Sequence, residues 1–367
     1  MKIIVTGGGT GGHVFPALVL MQHLASHEIV YAGSSKGIEK KLVPAYGFHF
    51  LEIDSMPLTG KRILKNFIGI LVLCKGTLQS LLFLFKFKPN LIIGTGGYVS
   101  FPVLAAGWIL KIPTVLLEQN LLPGKTTRIF SRLSSCVCVS FEETAKFLPK
   151  VKTKFTGNPV RSEIGSIQHD AACAALGLSA ERPVVLVMGA SQGAKALNAC
   201  LLEALRLMQD ETWQILHLTG ESHYHDVLQK AQGVQNKEAL VYKAFPFADK
   251  MEIFYAASDL IVSRAGATTI AEILTAGKPS ILIPYPYAAD NHQEINARWL
   301  EEKKGCEMLL EKDLTPESFY RILKEWLSKP DKLKEAGKQA KLLSNPDAAE
   351  KIIAVLEETV KRESKTK

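Results

Sequence analysis

Five glycines and a histidine follow the first apolar run of the chain, where Ile3-Ile4-Val5 leads into GGGTGGHVFP, residues 7–16. Gly7, Gly9 and Gly12 fit G-x-G-x-x-G, a backbone that can approach a phosphate at a helix start. His13 adds an imidazole able to exchange a proton near neutral pH; the same residue type also serves as a hydrogen-bonded helix-start residue. A dinucleotide site of this kind needs an acid about twenty residues on, at the tip of the second strand. Here that tip reads VYAGSSKG (30–37), without an acid, and Glu39 falls inside the next helix. A redox cofactor is disfavoured. An acid in better context stands in SRAGATTIAE (263–272): a strand leaves through Gly266, a helix starts near Thr268, and Glu272 follows about one turn later. It could meet a ribose beside a phosphate held at the helix start, or be a solvated helix glutamate. PYPYAADNHQEINA (284–297) then offers Asp290, Asn291, His292 and Gln293, which suit sugar hydroxyls or a polar helix cap.

These residues need elements to hold them. Short apolar runs alternate with helical stretches along the whole chain, the pattern of a parallel α/β fold. Strands are expected at 2–6, 29–32, 91–94, 114–117 and 136–139. After a pause at FTGNPVR (155–161), a second series is expected at 184–188, 214–218, 240–243, 260–263 and 280–283. Each series makes a doubly wound sheet, so two Rossmann-like domains are expected: 1–161, completed by a C-terminal helix at 347–364, and 162–346. Glycine-rich strand exits recur in GTGGYVS (94–100), GASQGA (189–194) and RAGATT (264–269). Ligands of such sheets bind beyond the carboxyl ends of the strands, so a shared cleft is expected.

A net charge of +8 points to an anionic partner, and without an aromatic-interleaved basic stripe nucleic acid is the weakest choice. The six cysteines show no metal-ligand spacing and read as reduced thiols; Cys136 and Cys138 alternate as same-face residues of a buried strand. The chain opens on a strand, and no signal peptide is expected. Residues 67–87, FIGILVLCKGTLQSLLFLFKF, are very apolar but carry Lys75, Gln79, Ser80 and Lys86. A core helix or one partly facing lipid, flanked by Lys61, Arg62, Lys65, Lys86 and Lys88, is expected rather than a span. No D-x-D occurs, so no metal is indicated.

GGGTGGHVFP, GTGGYVS, EQN (118–120), TGNPVR, GASQGA, SRAGATTIAE and PYPYAADNHQ, in this order, resemble the MurG family of peptidoglycan N-acetylglucosaminyltransferases. Leu117, Phe101 and Ala190 depart from the family's usual histidine, glycine and glycine. The resemblance implies a glycosyltransferase B-type fold and no cofactor. It implies inverting transfer of GlcNAc from UDP-GlcNAc to the 4-hydroxyl of MurNAc in undecaprenyl-pyrophosphoryl-MurNAc-pentapeptide (lipid I), giving lipid II at the cytoplasmic face of the inner membrane. His13 is then the base, with Asp or Glu as rivals, and Glu272 holds the ribose. For such a transfer the leaving-group charge is expected to fall on Arg161 and on backbone amides at Ser191 and at Gly266, Ala267, Thr268 and Thr269. Thr10, Gly11, Gly12 and Asn120 match positions touching the donor sugar from one side, and His292 and Gln293 from the other. Ala248 matches a position framing uracil. An anionic membrane surface is an expected partner. The alternatives are a UDP-GlcNAc 2-epimerase or another UDP-sugar transferase of this fold, and a non-catalytic nucleotide-sugar sensor.

Overall fold

The computed structural model describes residues 1–57, 63–189, 193–232 and 239–364. The chain forms two compact units, Met1–Val160 with Asn345–Lys367 (unit 1) and Arg161–Ser344 (unit 2). Each unit is α/β with a single all-parallel sheet, the two-Rossmann-domain class expected from the sequence.

Unit 1 carries β1 (Lys2–Thr6), β2 (Glu28–Gly33), β3 (His49–Glu52), β4 (Leu91–Gly94), β5 (Thr114–Glu118), β6 (Cys136–Val139) and β7 (Thr153–Phe155) in the order β3-β2-β1-β4-β5-β6-β7. Register pairs Ile3 with Ile29 and Leu91, and Val5 with Tyr31 and Ile93. Both faces are covered, so the central strands are apolar throughout rather than alternating. Ile3, Val5, Cys136 and Cys138 face the helix Gly11–His23 and the last helix, Ala348–Ser364, which contributes Ile352, Val355 and Leu356. Ile4, Ile92, Val137 and Val139 face the other way, toward the helices Ile63–Phe87 and Phe101–Ile109. Cys136 and Cys138 therefore share one buried face, as their spacing implies.

Unit 2 carries β8 (Val184–Met188), β9 (Gln214–Leu218), β10 (Val241–Phe245), β11 (Leu260–Ser263), β12 (Ser280–Leu282) and β13 (Cys306–Met308), ordered β10-β9-β8-β11-β12-β13. Val185, Val187, Val262 and Ile281 pack under the helices Lys195–Ala204 and Pro316–Leu327. Leu186, Met188, Ile261 and Leu282 pack under Met251–Ala257, Ala267–Ala276 and His292–Glu302. Arg161 clusters with unit 2, where its guanidinium is engaged, one residue before the division read from the sequence.

Candidate active site

In unit 1 the loop after β1 turns on Gly9, whose φ of +84° favours glycine. The Gly9 amide donates to Glu39 Oε2 (3.2 Å), and the Ser34 amide donates to Oε1 of the same carboxyl (3.2 Å). Glu39 is fully buried. The acid that follows the second strand thus pins the glycine loop from beneath and presents nothing to a ribose. The loop after β4 closes on the first one. Gly97, at φ +79°, sits where a Cβ would strike the Gly8 carbonyl, and the His13 ring lies against Gly96 and Gly97.

His13 stands in the first turn of Gly11–His23, its amide donating to the Thr10 carbonyl (3.2 Å). Its ring is half-buried, with Nδ1 3.0 Å from Gln119 Oε1. Gln119, the residue after β5, is itself buried, and its Nε2 donates to the Leu117 carbonyl (3.3 Å). Next to it the buried Glu118 accepts from Asn120 N (3.0 Å), Asn120 Nδ2 (3.3 Å) and Gly124 N (2.9 Å), which fixes the loop carrying Asn120. Thr10 is exposed, Gly11 buried and Gly12 half-buried. The structure therefore gathers Thr10, Gly11, Gly12, His13 and Asn120 at neighbouring strand exits. Gln119 and Glu118 were given no role by spacing, because the His13–Gln119 contact joins positions 106 apart. Their place in the EQN motif at the exit of a strand was the available signal. Leu117, a departure from the family pattern, is buried in the core.

In unit 2 Glu272 lies on Ala267–Ala276 and uses both carboxyl oxygens. Arg161 Nη2 donates to Oε1 (3.1 Å) and the Tyr255 hydroxyl to Oε2 (2.8 Å). Burial and the adjacent Glu272 charge push the Tyr255 phenol well above its usual value, so it stays protonated and donates. The Arg161 and Glu272 side chains keep 17% and 13% of their surface exposed, so solvent still reaches the pair. Arg161 Nη1 also donates to the Asp249 carbonyl (3.4 Å), next to the buried Ala248. Gly266 is the residue before the helix; Ala267 and Thr268 are buried, and Gly266 and Thr269 half-buried. A helix start of this kind directs its first amides at an anion.

Arg264 secures that turn. It is buried, pairs with Glu311, and donates to the Ile283 and Pro284 carbonyls (3.2 and 3.3 Å). Beyond β12, Asp290 and Asn291 take φ of +52° and +54° before the helix His292–Glu302. His292 Nδ1 donates to the Ala289 carbonyl (2.7 Å), and Gln293 Oε1 accepts from the Tyr285 amide (2.9 Å). The structure thus joins Arg161 to Glu272 and puts His292 and Gln293 at a separate strand exit. Ser191 lies outside the described residues.

Unit 2 also holds a histidine that no motif marks. His217, on β9, is fully buried, with Nδ1 2.8 Å from the Tyr242 hydroxyl and Nε2 3.0 Å from Asn198 Oδ1. Burial holds its pKa down at about 3. It is a core crosslink.

On unit 1 the helix Ile63–Phe87 has two unlike faces. Leu73, Ser80 and Leu84 are buried, Gly76 admits the Asp54 carbonyl, and Gln79 bonds the Asp54 amide and carboxylate (3.0 Å each). Phe67, Ile70, Leu71, Leu78, Leu82 and Phe85 are exposed, the last by 70%. Lys75, Lys86 and Lys88 are exposed beside them. The helix is long and apolar enough to cross a bilayer by length and composition. Its buried face is nevertheless tied to the unit 1 core. Lys61 and Arg62 lie outside the described residues.

Two family models match the chain: the glycosyltransferase family 28 N-terminal domain over residues 3–139 and the C-terminal domain of the same family over 184–352. A protein of Caldanaerobacter subterraneus subsp. tengcongensis named UDP-N-acetylglucosamine--N-acetylmuramyl-(pentapeptide) pyrophosphoryl-undecaprenol N-acetylglucosamine transferase is 40% identical, over 96% of this chain and 98% of its own. The protein of that name from Desulfitobacterium hafniense is 41% identical over 98% and 99%. Among solved structures, MurG of Acinetobacter baumannii superposes with a TM-score of 0.76 at 26% identity, covering 97% of this chain and 99% of that one. A UDP-GlcNAc 2-epimerase from Neisseria meningitidis shares the fold at 14% identity, TM-score 0.68, over 98% of this chain and 100% of that one.

Proposed function

Because the chain belongs to glycosyltransferase family 28, and within it to the MurG family, we propose that it moves GlcNAc from UDP-GlcNAc to the 4-hydroxyl of MurNAc in lipid I, giving lipid II with inversion at the sugar carbon. The observation that carries this reading to the level of chemistry is His13. One ring nitrogen is engaged by Gln119, and no hydrogen bond reaches the other among the described residues. The His13 base takes the proton of the attacking hydroxyl. The bond from the sugar carbon to the diphosphate breaks as the new glycosidic bond forms. Charge appearing on UDP is met by the amides at Gly266–Thr269 and by Arg161. Glu272, aligned by Arg161 and Tyr255, receives the ribose hydroxyls. Thr10, Gly11, Gly12, Asn120, His292 and Gln293 contact the sugar. Ser191 adds a phosphate contact and Ala248 frames the uracil.

The exposed apolar face of Ile63–Phe87 supports the location that goes with this reading, a peripheral enzyme on the anionic cytoplasmic face of the inner membrane. Apolar side chains enter the interface shallowly while lysines meet headgroups, each worth about 1 kcal/mol near the surface. Radiolabelled UDP-GlcNAc with a short-chain lipid I analogue tests the transfer. Labelled disaccharide-lipid product, formed in EDTA as in its absence, is expected. Epimerised UDP-sugar without transfer would overturn the reading. Co-sedimentation with anionic liposomes, weaker with neutral ones and at high salt, is the expected membrane result. Equal partitioning would leave the apolar face unassigned.

A further inference from the structure

The contact between His13 and Gln119 contains a directional constraint. The Gln119 amide nitrogen donates to the Leu117 carbonyl (3.3 Å), an atom that can only accept. This bond settles which end of the amide faces His13: the carbonyl oxygen, 3.0 Å from Nδ1. An amide oxygen cannot donate, so the proton between the two atoms belongs to Nδ1. Gln119 is 3% exposed and is held on the backbone of the strand it follows, so it does not turn over to offer its NH₂ group.

From this we infer that Gln119 is the positioning residue that locks His13 in the Nδ1–H tautomer and leaves the Nε2 lone pair for the acceptor hydroxyl. The inference deepens the proposed reaction and rests on His13 being its base. During transfer, Nε2 takes the hydroxyl proton as the oxygen–carbon bond forms, and the electron pair of the breaking carbon–oxygen bond leaves with UDP. The resulting imidazolium carries a proton on each nitrogen. Gln119 Oε1 still accepts from Nδ1–H in that state, so a single partner serves both protonation states without rearranging. A free imidazole favours the Nε2–H form, in which the nitrogen facing the hydroxyl holds a proton and cannot act as a base. Locking the other tautomer removes that loss.

The test starts with the unmodified protein. Nitrogen-15 NMR of the imidazoles at alkaline pH, with His13 assigned by its disappearance in His13→Ala, should show a protonated Nδ1 and a lone-pair Nε2. A protonated Nε2 would overturn the inference whatever the kinetics. Two variants then report on catalysis. Gln119→Leu removes the acceptor and should lower kcat at least about tenfold, part of what a general base contributes, while the KM for UDP-GlcNAc stays within about twofold. Gln119→Glu keeps an acceptor and adds charge. It should retain turnover and move the acid limb of the kcat/KM profile upward by about one pH unit or more. Normal kcat in the leucine variant, or an unmoved acid limb in the glutamate variant, would overturn the positioning role. Failure of the underlying reading looks different: His13→Ala would turn over normally, and the wild-type NMR would still report the tautomer.

Discussion

The two units share one strand order, to which unit 1 adds β7, and use their glutamates in opposite ways. In unit 1, Glu39 and Glu118 accept from backbone amides of the glycine-bearing loops, so their charge and hydrogen-bonding capacity go into holding the chain. In unit 2, Glu272 accepts from the side chains of Arg161 and Tyr255, and solvent still reaches it. The histidines divide the other way. His13 in unit 1 keeps a nitrogen without a partner among the described residues, while His217 in unit 2 has both nitrogens engaged and no exposed surface. Residue type therefore does not reveal role in this fold. What differs between the members of each pair is whether their partners leave a face open.

That contrast can be broken at four places, in order of expected effect. His13→Ala should depress kcat by about 10²–10⁴-fold, the usual contribution of a general base, with UDP binding retained by calorimetry. Near-normal kcat would move the base to a carboxylate. Glu272→Ala should raise the KM for UDP-GlcNAc by about 10–100-fold, since hydrogen bonds to a charged group are worth about 1.5–3 kcal/mol. Discrimination against TDP-GlcNAc, which lacks the ribose 2′-hydroxyl, should shrink with it. An unchanged KM in a folded variant would place Glu272 with the structural glutamates.

Glu39→Ala should instead appear as lost stability of about 1–3 kcal/mol, because the Gly9 and Ser34 amides lose their buried acceptor. Thermal melting measures it, and an unaltered Tm would remove Glu39 from the loop's support. The effect that is smallest at neutral pH concerns His217. Its folded pKa of about 3 lies below the ordinary histidine value of 6.5. The unfolded chain thus binds the extra proton first as pH falls. The stabilisation is complete above pH 6.5 and is lost progressively toward pH 3, by at most about 1.4 kcal/mol per pH unit. Urea unfolding at successive pH values should show this slope, and His217→Gln should flatten it just below pH 6.5. An equal slope in both proteins would assign the acid sensitivity elsewhere.

Much of the fold could be read from the residues because central parallel strands are short, apolar and bounded by glycine. β1, β4, β6, β8, β9 and β11 lie where their runs place them. β3, β7 and β13 were not foreseen. All three are edge strands of three or four residues with polar or half-exposed side chains, and only pairing to a neighbour defines them. At the site, the glycine exits and Glu272 were visible as motifs. Tyr255, the contact of Gln119 with His13 and the loop-holding function of Glu39 were not. Each depends on a contact between elements, and an ordinary polar residue inside an ordinary element gives no local sign of it.

The last helix adds a consequence for synthesis. Ala348–Ser364 supplies Ile352, Val355 and Leu356 to the unit 1 core, although all of unit 2 lies between it and the rest of that core. Emerging from the ribosome, residues 1–160 leave the exit tunnel with an apolar groove still open. Unit 2 can fold as a continuous piece before that groove is filled. The first half of the protein to be made is thus the last to be finished, and a nascent chain stalled near residue 344 would expose sticky surface for chaperones to cover.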